Sequence, residues 1–315
     1  MVGAGAVFGV LLVLVALAWR ASNADMYFPK AQYPWNLAGY PALARVSEPL
    51  TVHSQTGVNL IGRFFRGRYA ATIVLSGGYG GTQTEMLPVA NSLHAAGFNV
   101  VTYDERGTGG SGGAGTWGAL EVPDLRSLID AVARHPGVDP DHIGLFGFSI
   151  GADISIIEAA SDHRIKVVVA AGSWPSLQSY MKTRPIDAIV RPTWPYSPLA
   201  LELLQLRTGA DLSQVRPGAF IAKISPRPIM LIDGLDDTDV TPRGTIANFR
   251  LARAPKTIWL VPGETHEGMV YPGGAGTTAR VSAFFAHVLL PSHRGGMGTA
   301  VAEPIERWGS LLLLR

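Results

Sequence analysis

The stretch that decides the fold is His142-Ile143-Gly144-Leu145-Phe146-Gly147-Phe148-Ser149-Ile150-Gly151, an apolar run that ends in Gly-x-Ser-x-Gly. Residues 142–146 predict a buried β-strand, and residues 150–160 predict a helix. Glycines on both sides of Ser149 suit a tight strand-to-helix turn, because side chains there would collide with the neighbouring strand and helix. Such a turn exposes the hydroxyl, and the helix N-terminus favours developing negative charge. The stretch therefore predicts a nucleophilic serine.

Short β-branched runs alternate with helical patterns on both sides of this stretch. The predicted strands cover residues 58–65, 71–75, 99–103, 166–171, 228–232 and 257–261, and the further predicted helices cover residues 84–96, 122–134 and 277–290. Continuous apolar strands separated by helices are typical of parallel sheets covered on both faces. The sequence therefore predicts an α/β fold with a mostly parallel central sheet, preceded by an antiparallel pair that turns near residues 55–57.

The interval 173–223 breaks this alternation. Four of its aromatic side chains are Trp174, Tyr180, Trp194 and Tyr196, and residues 198–207 are rich in leucine. We interpret the interval as a small cap with an apolar inner face, inserted over one edge of the sheet. An ordinary longer crossover is the alternative.

The N-terminus carries no charged side chain from Met1 to Trp19. Nineteen helical residues reach roughly 28 Å, close to the roughly 30 Å hydrocarbon thickness of a bilayer. We predict a transmembrane anchor over residues 1–19. A signal peptide cleaved near Ala24, followed by secretion, is the alternative, although no Lys or Arg precedes the apolar run. Arg20 and Lys30 favour a cytoplasmic catalytic domain, but two charges do not fix the side of the membrane.

The remaining domain boundaries follow from these segments. We predict a linker over residues 20–50, a catalytic domain over residues 51–290 that contains the cap, and a C-terminal tail over residues 291–315. The composition, with 47% apolar and 16% charged residues, excludes global disorder. A net charge of +2 without a basic run gives no support for nucleic-acid binding. The absence of cysteine removes disulfides, thiolate metal sites and a thiol nucleophile.

A nucleophilic serine needs a base, and the base needs an acid to orient it. When the chain order is serine, acid, histidine, only His266, His287 and His293 come late enough. His287 falls inside the final predicted helix, and His293 lies in the glycine-rich tail. His266 follows the strand at 257–261 in a loop, so His266 is the predicted base.

The acid lies in the loop after the strand at 228–232. Four carboxylates crowd this loop, and they belong to Asp233, Asp236, Asp237 and Asp239. The residues alone leave two candidates, with Asp237 the choice and Asp236 the alternative. A metal site built from these aspartates is not expected, because their spacing is not that of an EF-hand loop.

Further segments match a known family. They are residues 74–81 (VLSGGYGG), residues 104–111 (DERGTGGS), the turn at Ser149, the Gly-x-x-Asp-x-x-Val pattern from Gly234 to Val240, and the Gly-x-x-His pattern that ends at His266. In these segments the chain resembles an α/β-hydrolase of the serine aminopeptidase and monoacylglycerol-lipase-like branch, over roughly residues 50–290.

The resemblance implies the α/β-hydrolase fold and a triad of Ser149, Asp237 and His266, and the family spacing is the reason to prefer Asp237. It also implies that the backbone N–H groups of Tyr79 and Ile150 stabilise an oxyanion. One departure is that Gly77-Gly78 stands where the family often has His-Gly, which leaves the conformation of this loop open.

The expected function is a serine hydrolase that cleaves carboxylic esters or thioesters through an acyl-enzyme, without cofactor or metal. Residues 107–112 fit Gly-x-Gly-x-x-Gly, but no helix start follows them, so no nucleotide cofactor is expected. Within enzymes the alternative is an aminopeptidase-type peptidase, and outside enzymes it is a catalytically silent α/β-hydrolase scaffold that binds ligands. The expected partners are a small ester, thioester or peptide-like substrate and a membrane reached through the N-terminal segment.

Overall fold

The computed structural model of the chain describes residues 2–27, 36–183, 196–271 and 277–290. Trp194, the Tyr196 side chain and the tail at 291–315 lie outside what is described. The strands are β1 (Ser47–His53), β2 (Asn59–Phe65), β3 (Thr72–Ser76), β4 (Asn99–Tyr103), β5 (Ile143–Phe148), β6 (Ile165–Ala171), β7 (Ile229–Gly234) and β8 (Lys256–Val261).

Within these described ranges, eight strands form one sheet in the order β1-β2-β4-β3-β5-β6-β7-β8. β1 and β2 form an antiparallel pair, and β2 also runs antiparallel to β4. The pairs from β4 and β3 through to β8 are parallel. The predicted α/β fold, with a mostly parallel sheet after an antiparallel pair, is confirmed.

Helices cover both faces of the sheet. They are α1 (Val2–Met26), α2 (Pro41–Arg45), α3 (Leu87–Ala95), α4 (Glu121–Ala133), α5 (Ile150–Ser161), α6 (Leu177–Thr183), α7 (Tyr196–Thr208), α8 (Pro217–Phe220), α9 (Pro242–Leu251) and α10 (Thr277–Leu289). Side chains alternate across a strand, so Ile73 and Leu75 of β3 pack in one apolar cluster with α3 and α10, whereas Val74 packs in another with α4 and α5. β3 is buried on both faces, as its continuous apolar run predicts.

The structure moves two of the expected boundaries. α1 continues to Met26, seven residues beyond the segment predicted as an anchor, and β1 begins at Ser47, inside the stretch predicted as a linker. The residues of β1 alternate only weakly between buried and exposed positions, so their sequence does not show the pattern of a strand. The segment is a strand because it pairs with β2. The interval 173–223 lies between β6 and β7, and its described part is largely helical.

α1 is long and apolar enough to cross a membrane. Its segment Val7–Ala24 has a mean hydropathy of 1.8, and only 11% of it is buried inside the structure. Its exposed large apolar side chains are Val7, Phe8, Val10, Leu11, Leu12, Val13, Val15, Leu17 and Trp19. By length and composition α1 is a candidate membrane span, and an N-terminal signal segment has the same properties.

A buried ion pair ties the loop after β4 to α4. Arg106 Nε lies 3.1 Å from Asp124 Oδ2, and the two side chains are only 4% and 0% exposed. Ser54 and Thr56, in the turn between β1 and β2, donate hydrogen bonds to the other oxygen of Asp124. One carboxylate thus joins the antiparallel pair, the loop after β4 and α4.

We expect Arg106→Met to lower the free energy of unfolding by about 3–5 kcal/mol, because it leaves the buried Asp124 carboxylate without its counter-ion. The matched control is Arg66→Met. Arg66 pairs with Glu48 at a site where the side chains are 46% and 43% exposed, so its loss should cost about 1 kcal/mol or less. The free energy of unfolding is measured in urea. Equal losses for the two variants would contradict the conclusion that the buried Arg106–Asp124 pair stabilises the fold.

Candidate active site

Ser149 occupies the turn between β5 and α5 in a conformation that a non-glycine residue rarely adopts, with φ 55° and ψ −124°. A Cβ on Gly147 would lie 2.1 Å from the carbonyl oxygen of Gly151, and a Cβ on Gly151 would lie 2.4 Å from that of Ser76. Both glycines are therefore required by backbone contacts. The turn places the Ser149 hydroxyl at the carboxyl end of β5, at the start of α5.

Three predicted site residues form one hydrogen-bonded chain. With the proton on Nδ1, His266 donates to Asp237 Oδ2 over 2.6 Å, and its Nε2 accepts from the Ser149 hydroxyl over 3.0 Å. All three residues are buried. Asp237 Oδ1 accepts from the backbone N–H groups of Asp239 and Val240, both over 2.8 Å. The loop after β7 therefore fixes the carboxylate, and the carboxylate orients the imidazole.

The other candidates lie elsewhere. Asp236 is exposed, and the oxygen that pairs with His266 belongs to Asp237. His287 is exposed on α10, and His293 is outside the described residues. Asp239 lies beside the hydrogen-bonded group of Ser149, His266 and Asp237, with its Oδ2 3.9 Å from His266 Nε2.

The electrostatics of this group follow from burial and from neighbouring carboxylates. Burial by itself lowers the pKa of His266, but the hydrogen bond and charge of Asp237, with the charge of Asp239, outweigh it and raise that pKa above its ordinary value. Burial, assisted by the charge of Asp237, raises the pKa of Asp233 to about 8. At neutral pH the Asp233 carboxyl is therefore mostly protonated.

The loop after β3, which contains Tyr79, wraps around a glutamate that the sequence analysis missed. Glu85 is buried, and its Oε2 accepts from the Gly78 N–H over 2.8 Å. A Cβ on Gly77 or Gly81 would lie 2.8 Å or 2.2 Å from the same oxygen. The glycines of this loop therefore make room for a carboxylate. The sequence signal that could have identified Glu85 is its position, four residues after the glycine run and just before an apolar helix.

The same loop lies against the nucleophile turn. Gly151 donates its N–H to the Gly77 carbonyl over 3.1 Å. Ile150 is the first residue of α5, so its N–H has no acceptor inside the helix. The backbone of Tyr79, two residues after Gly77, belongs to this loop. The arrangement is compatible with the two amides that the resemblance implied as oxyanion donors, whose role stays a prediction.

Four aromatic rings connect this loop to the interval predicted as a cap. The Tyr79 and Trp117 rings stack at 4.0 Å, Trp117 lies 6.1 Å from Tyr180, and Tyr180 stacks on Trp174 at 4.3 Å. Trp117 has a φ of 55°, unusual for a bulky residue and a conformation that concentrates at functional sites. The Tyr180 hydroxyl donates to Asp239 over 3.2 Å. We call the four rings the aromatic wall. They reach from the loop after β3, which we call the oxyanion loop for the role that the resemblance implies, to the loop after β7, which we call the acid loop.

Comparisons with known proteins agree with this architecture. A family model described as serine aminopeptidase, S33, matches residues 67–215. An esterase from Pyrococcus furiosus has a TM-score of 0.69 at 22% identity, over 84% of this chain and 98% of that one. The 2,6-dihydroxy-pseudo-oxynicotine hydrolase has a TM-score of 0.62 at 17% identity, over 79% and 70%. The chain has the α/β-hydrolase fold. The matches support a hydrolase of the α/β-hydrolase type.

Two curated relatives of the chain are described as uncharacterized proteins. YfhR of Escherichia coli K12 is 27% identical over 199 residues, which are 62% of this chain and 63% of YfhR. YqkD of Bacillus subtilis is 30% identical over 176 residues, 54% of this chain and 56% of YqkD. The chain thus spans about three fifths of the length of these relatives.

We expect Asp237→Asn to lower kcat/KM by up to about 10⁴, because an amide favours the wrong imidazole tautomer. Asp236→Asn is the matched control, since the neighbouring carboxylate is exposed, and it should leave kcat/KM nearly unchanged. The measurement is steady-state hydrolysis of a p-nitrophenyl ester by both variants. If Asp236→Asn is the impaired one, the assignment of the acid is wrong.

The pH profile of kcat/KM should reflect the raised pKa of His266. The base must be neutral, so activity should rise with pH through that pKa, with an acid limb above the ordinary histidine value of about 6.5. Asp239→Asn removes a negative charge 3.9 Å from Nε2 and should shift the limb to lower pH, whereas Asp236→Asn should not. Coincident limbs for the two variants would refute this electrostatic account.

We expect Glu85→Ala to lower kcat by up to about 10²–10³, the range for loss of an oxyanion donor, with little change in KM. The reason is that the Gly78 N–H loses its acceptor and the loop that carries Tyr79 loses its support. Glu85→Gln keeps a carbonyl oxygen in the same place and should recover part of the rate. An unchanged kcat in Glu85→Ala, with an intact thermal melt, would show that this contact does not position the loop.

Proposed function

We propose that the protein is a serine hydrolase that cleaves carboxylic esters or thioesters through an acyl-enzyme. The observation that carries the proposal is the buried hydrogen-bonded chain of Ser149, His266 and Asp237. A serine in this arrangement can lose its proton to the imidazole as it attacks, while the carboxylate stabilises the imidazolium. The esterase and hydrolase among the structural neighbours support this reaction class.

In the proposed reaction, Ser149 Oγ attacks the acyl carbon while His266 Nε2 takes the hydroxyl proton. The N–H groups of Tyr79 and Ile150 stabilise the tetrahedral oxyanion. As the intermediate collapses, the alcohol or thiol leaves with the proton from His266. A water molecule then attacks the acyl-enzyme with the same base, and the acid product and free Ser149 are formed.

A peptidase that releases N-terminal residues is the second candidate. The description of the family model over residues 67–215 favours it. The aromatic wall favours the ester, because Trp117 places an apolar ring against Tyr79 of the loop after β3.

We also propose that α1 is retained as a membrane anchor. Cleavage after Ala24 would remove Ala18 and Ser22, which are fully buried against the rest of the structure. A signal peptide is discarded after export, so contacts of this kind with the mature domain support retention over cleavage and secretion.

We expect kcat/KM to rise from acetyl to octanoyl p-nitrophenyl esters, because each buried methylene contributes about 0.8 kcal/mol until the pocket ends. Aminoacyl-anilides should be poorer substrates. The series is run on the full-length protein in detergent. Values that are flat or falling along the series, with anilides preferred, would transfer the assignment to the peptidase.

Ser149→Ala should lower kcat by about 10⁴–10⁶ and abolish labelling by a fluorophosphonate, while the thermal melt stays the same. His287→Ala, the exposed histidine of α10, is the matched control and should keep both. If the unsubstituted protein is folded but neither labels nor turns over any ester, the catalytically silent scaffold is the correct alternative.

A further inference from the structure

α1 consists of two parts that differ in their surroundings. Residues 7–17 are exposed almost throughout. In the second part Ala18, Ser22 and Met26 are buried, and their spacing of four residues places them on one face of the helix. This face packs against the rest of the molecule, so the end of α1 is a fixed part of the hydrolase and not a loose tether.

The partner of this face is α7, a helix of the interval predicted as a cap. The Arg207 guanidinium lies 4.1 Å from the centre of the Trp19 ring, and its Nη1 donates to Ser22 Oγ over 3.2 Å. The carbonyl of Met26 accepts from the N–H of Gly115 over 2.9 Å. The carboxyl end of α7 is thereby held at the level of Trp19.

This level is where a bilayer surface would lie. The 18 residues of α1 from Val2 to Trp19 carry no charge, and at 1.5 Å each they reach about 27 Å, close to the hydrocarbon thickness. Tryptophan is enriched at the membrane interface, and arginine anchors there. Trp19 is followed directly by the exposed Arg20, and Arg207 lies on Trp19 from the other helix.

Leu206, next to Arg207, is 82% exposed, the largest value among the large apolar side chains of the described residues. An isolated exposed leucine needs no explanation. Here, however, it stands one position from an arginine that is fixed at the end of an apolar membrane-length helix. A lipid surface at the level of Trp19 would cover it.

The buried face of α7 also joins the apolar core that contains the aromatic wall. Ala200 and Leu204 of α7 are buried, and Leu204 belongs to the apolar cluster that contains Trp117 and Tyr180. Gly115, which bonds to α1, lies two residues before Trp117, and Trp117 stacks on Tyr79 of the oxyanion loop. The end of α1, α7 and three rings of the aromatic wall thus contribute to one apolar cluster.

We propose that Trp19, Arg20, Leu206 and Arg207 form one membrane-contacting edge, that this edge holds α7 in the interface of the bilayer, and that the site takes its ester substrates from the lipid phase. The proposal rests on the proposed function, since it concerns how substrate reaches that site. The partner is the lipid bilayer itself, and the substrate class is esters that partition into it.

The location of the edge can be measured without reference to catalysis. The chain contains no cysteine, so Leu206→Cys and Leu251→Cys each introduce a single labelling site. Leu251, at the end of α9, is also an exposed leucine at 49% and is the matched control. Full-length protein with a bimane label is reconstituted in phosphatidylcholine vesicles with and without brominated phosphatidylcholine. We expect the label at 206 to be quenched by the brominated lipid and blue-shifted, and the label at 251 to be unaffected.

Whether the substrate reaches the site from the lipid phase is tested by placing a negative charge on the membrane-contacting edge. Leu206→Asp should lower the hydrolysis of a long-chain ester embedded in the vesicles by about tenfold, the order of the lost leucine burial. It should leave the hydrolysis of soluble p-nitrophenyl acetate unchanged, and Leu251→Asp should change neither rate. Equal effects of Leu206→Asp on both esters, or no effect on either, would overturn the proposed route.

Failure of this inference can be told apart from failure of the proposed function. Quenching at 206 no greater than at 251 overturns the membrane-contacting edge, whatever the enzyme hydrolyses. Failure of the full-length protein to float with vesicles overturns the edge and the anchor together. Quenching at 206 in a protein that cleaves no ester supports the edge but overturns both the esterase and its lipid-phase substrate.

Discussion

The turn at Ser149 is the constraint on which the rest of the structure depends. A left-handed conformation at a non-glycine residue persists only where the surroundings hold it, and here β5 and α5 hold it from both sides. Glycine at 147 and 151 is required because each backbone passes within contact distance of another. The same close approach allows Gly151 to bond to Gly77. One tight turn therefore positions both the nucleophile and the loop beside it.

Buried carboxylates organise the site, and each is held by particular donors. Asp237 uses one oxygen for His266 and the other for two backbone N–H groups. Glu85 accepts from the loop after β3. Burial of a carboxylate is costly unless hydrogen bonds or opposite charge compensate. Burial, assisted by the charge of Asp237, raises the pKa of Asp233 to about 8, so this carboxyl is mostly neutral at pH 7.

The interval between β6 and β7 links the chemistry to the N-terminal helix. Its Tyr180 bonds to the acid loop and stacks on Trp174, and its α7 packs on the end of α1. The N-terminal helix and the Ser149, His266 and Asp237 group are consequently parts of one packed unit.

The sequence by itself determined most of the secondary-structure elements and the order of the serine, the acid and the histidine along the chain. Periods of two and 3.6 residues and the glycines around Ser149 are local properties, so β2 to β8, the turn and the helices α3, α4, α5 and α10 could be predicted within about three residues. The helix α9 was not predicted, and α1 ends seven residues later than predicted. Local pattern left Asp236 and Asp237 open, and only the family spacing favoured one of them. The tertiary structure decided what depends on distant pairs: Glu85 within its loop, Trp117 on Tyr79, and Arg207 on Ser22 across 185 positions. Such contacts arise from the order of the strands and the packing of helices on them, which no local period encodes.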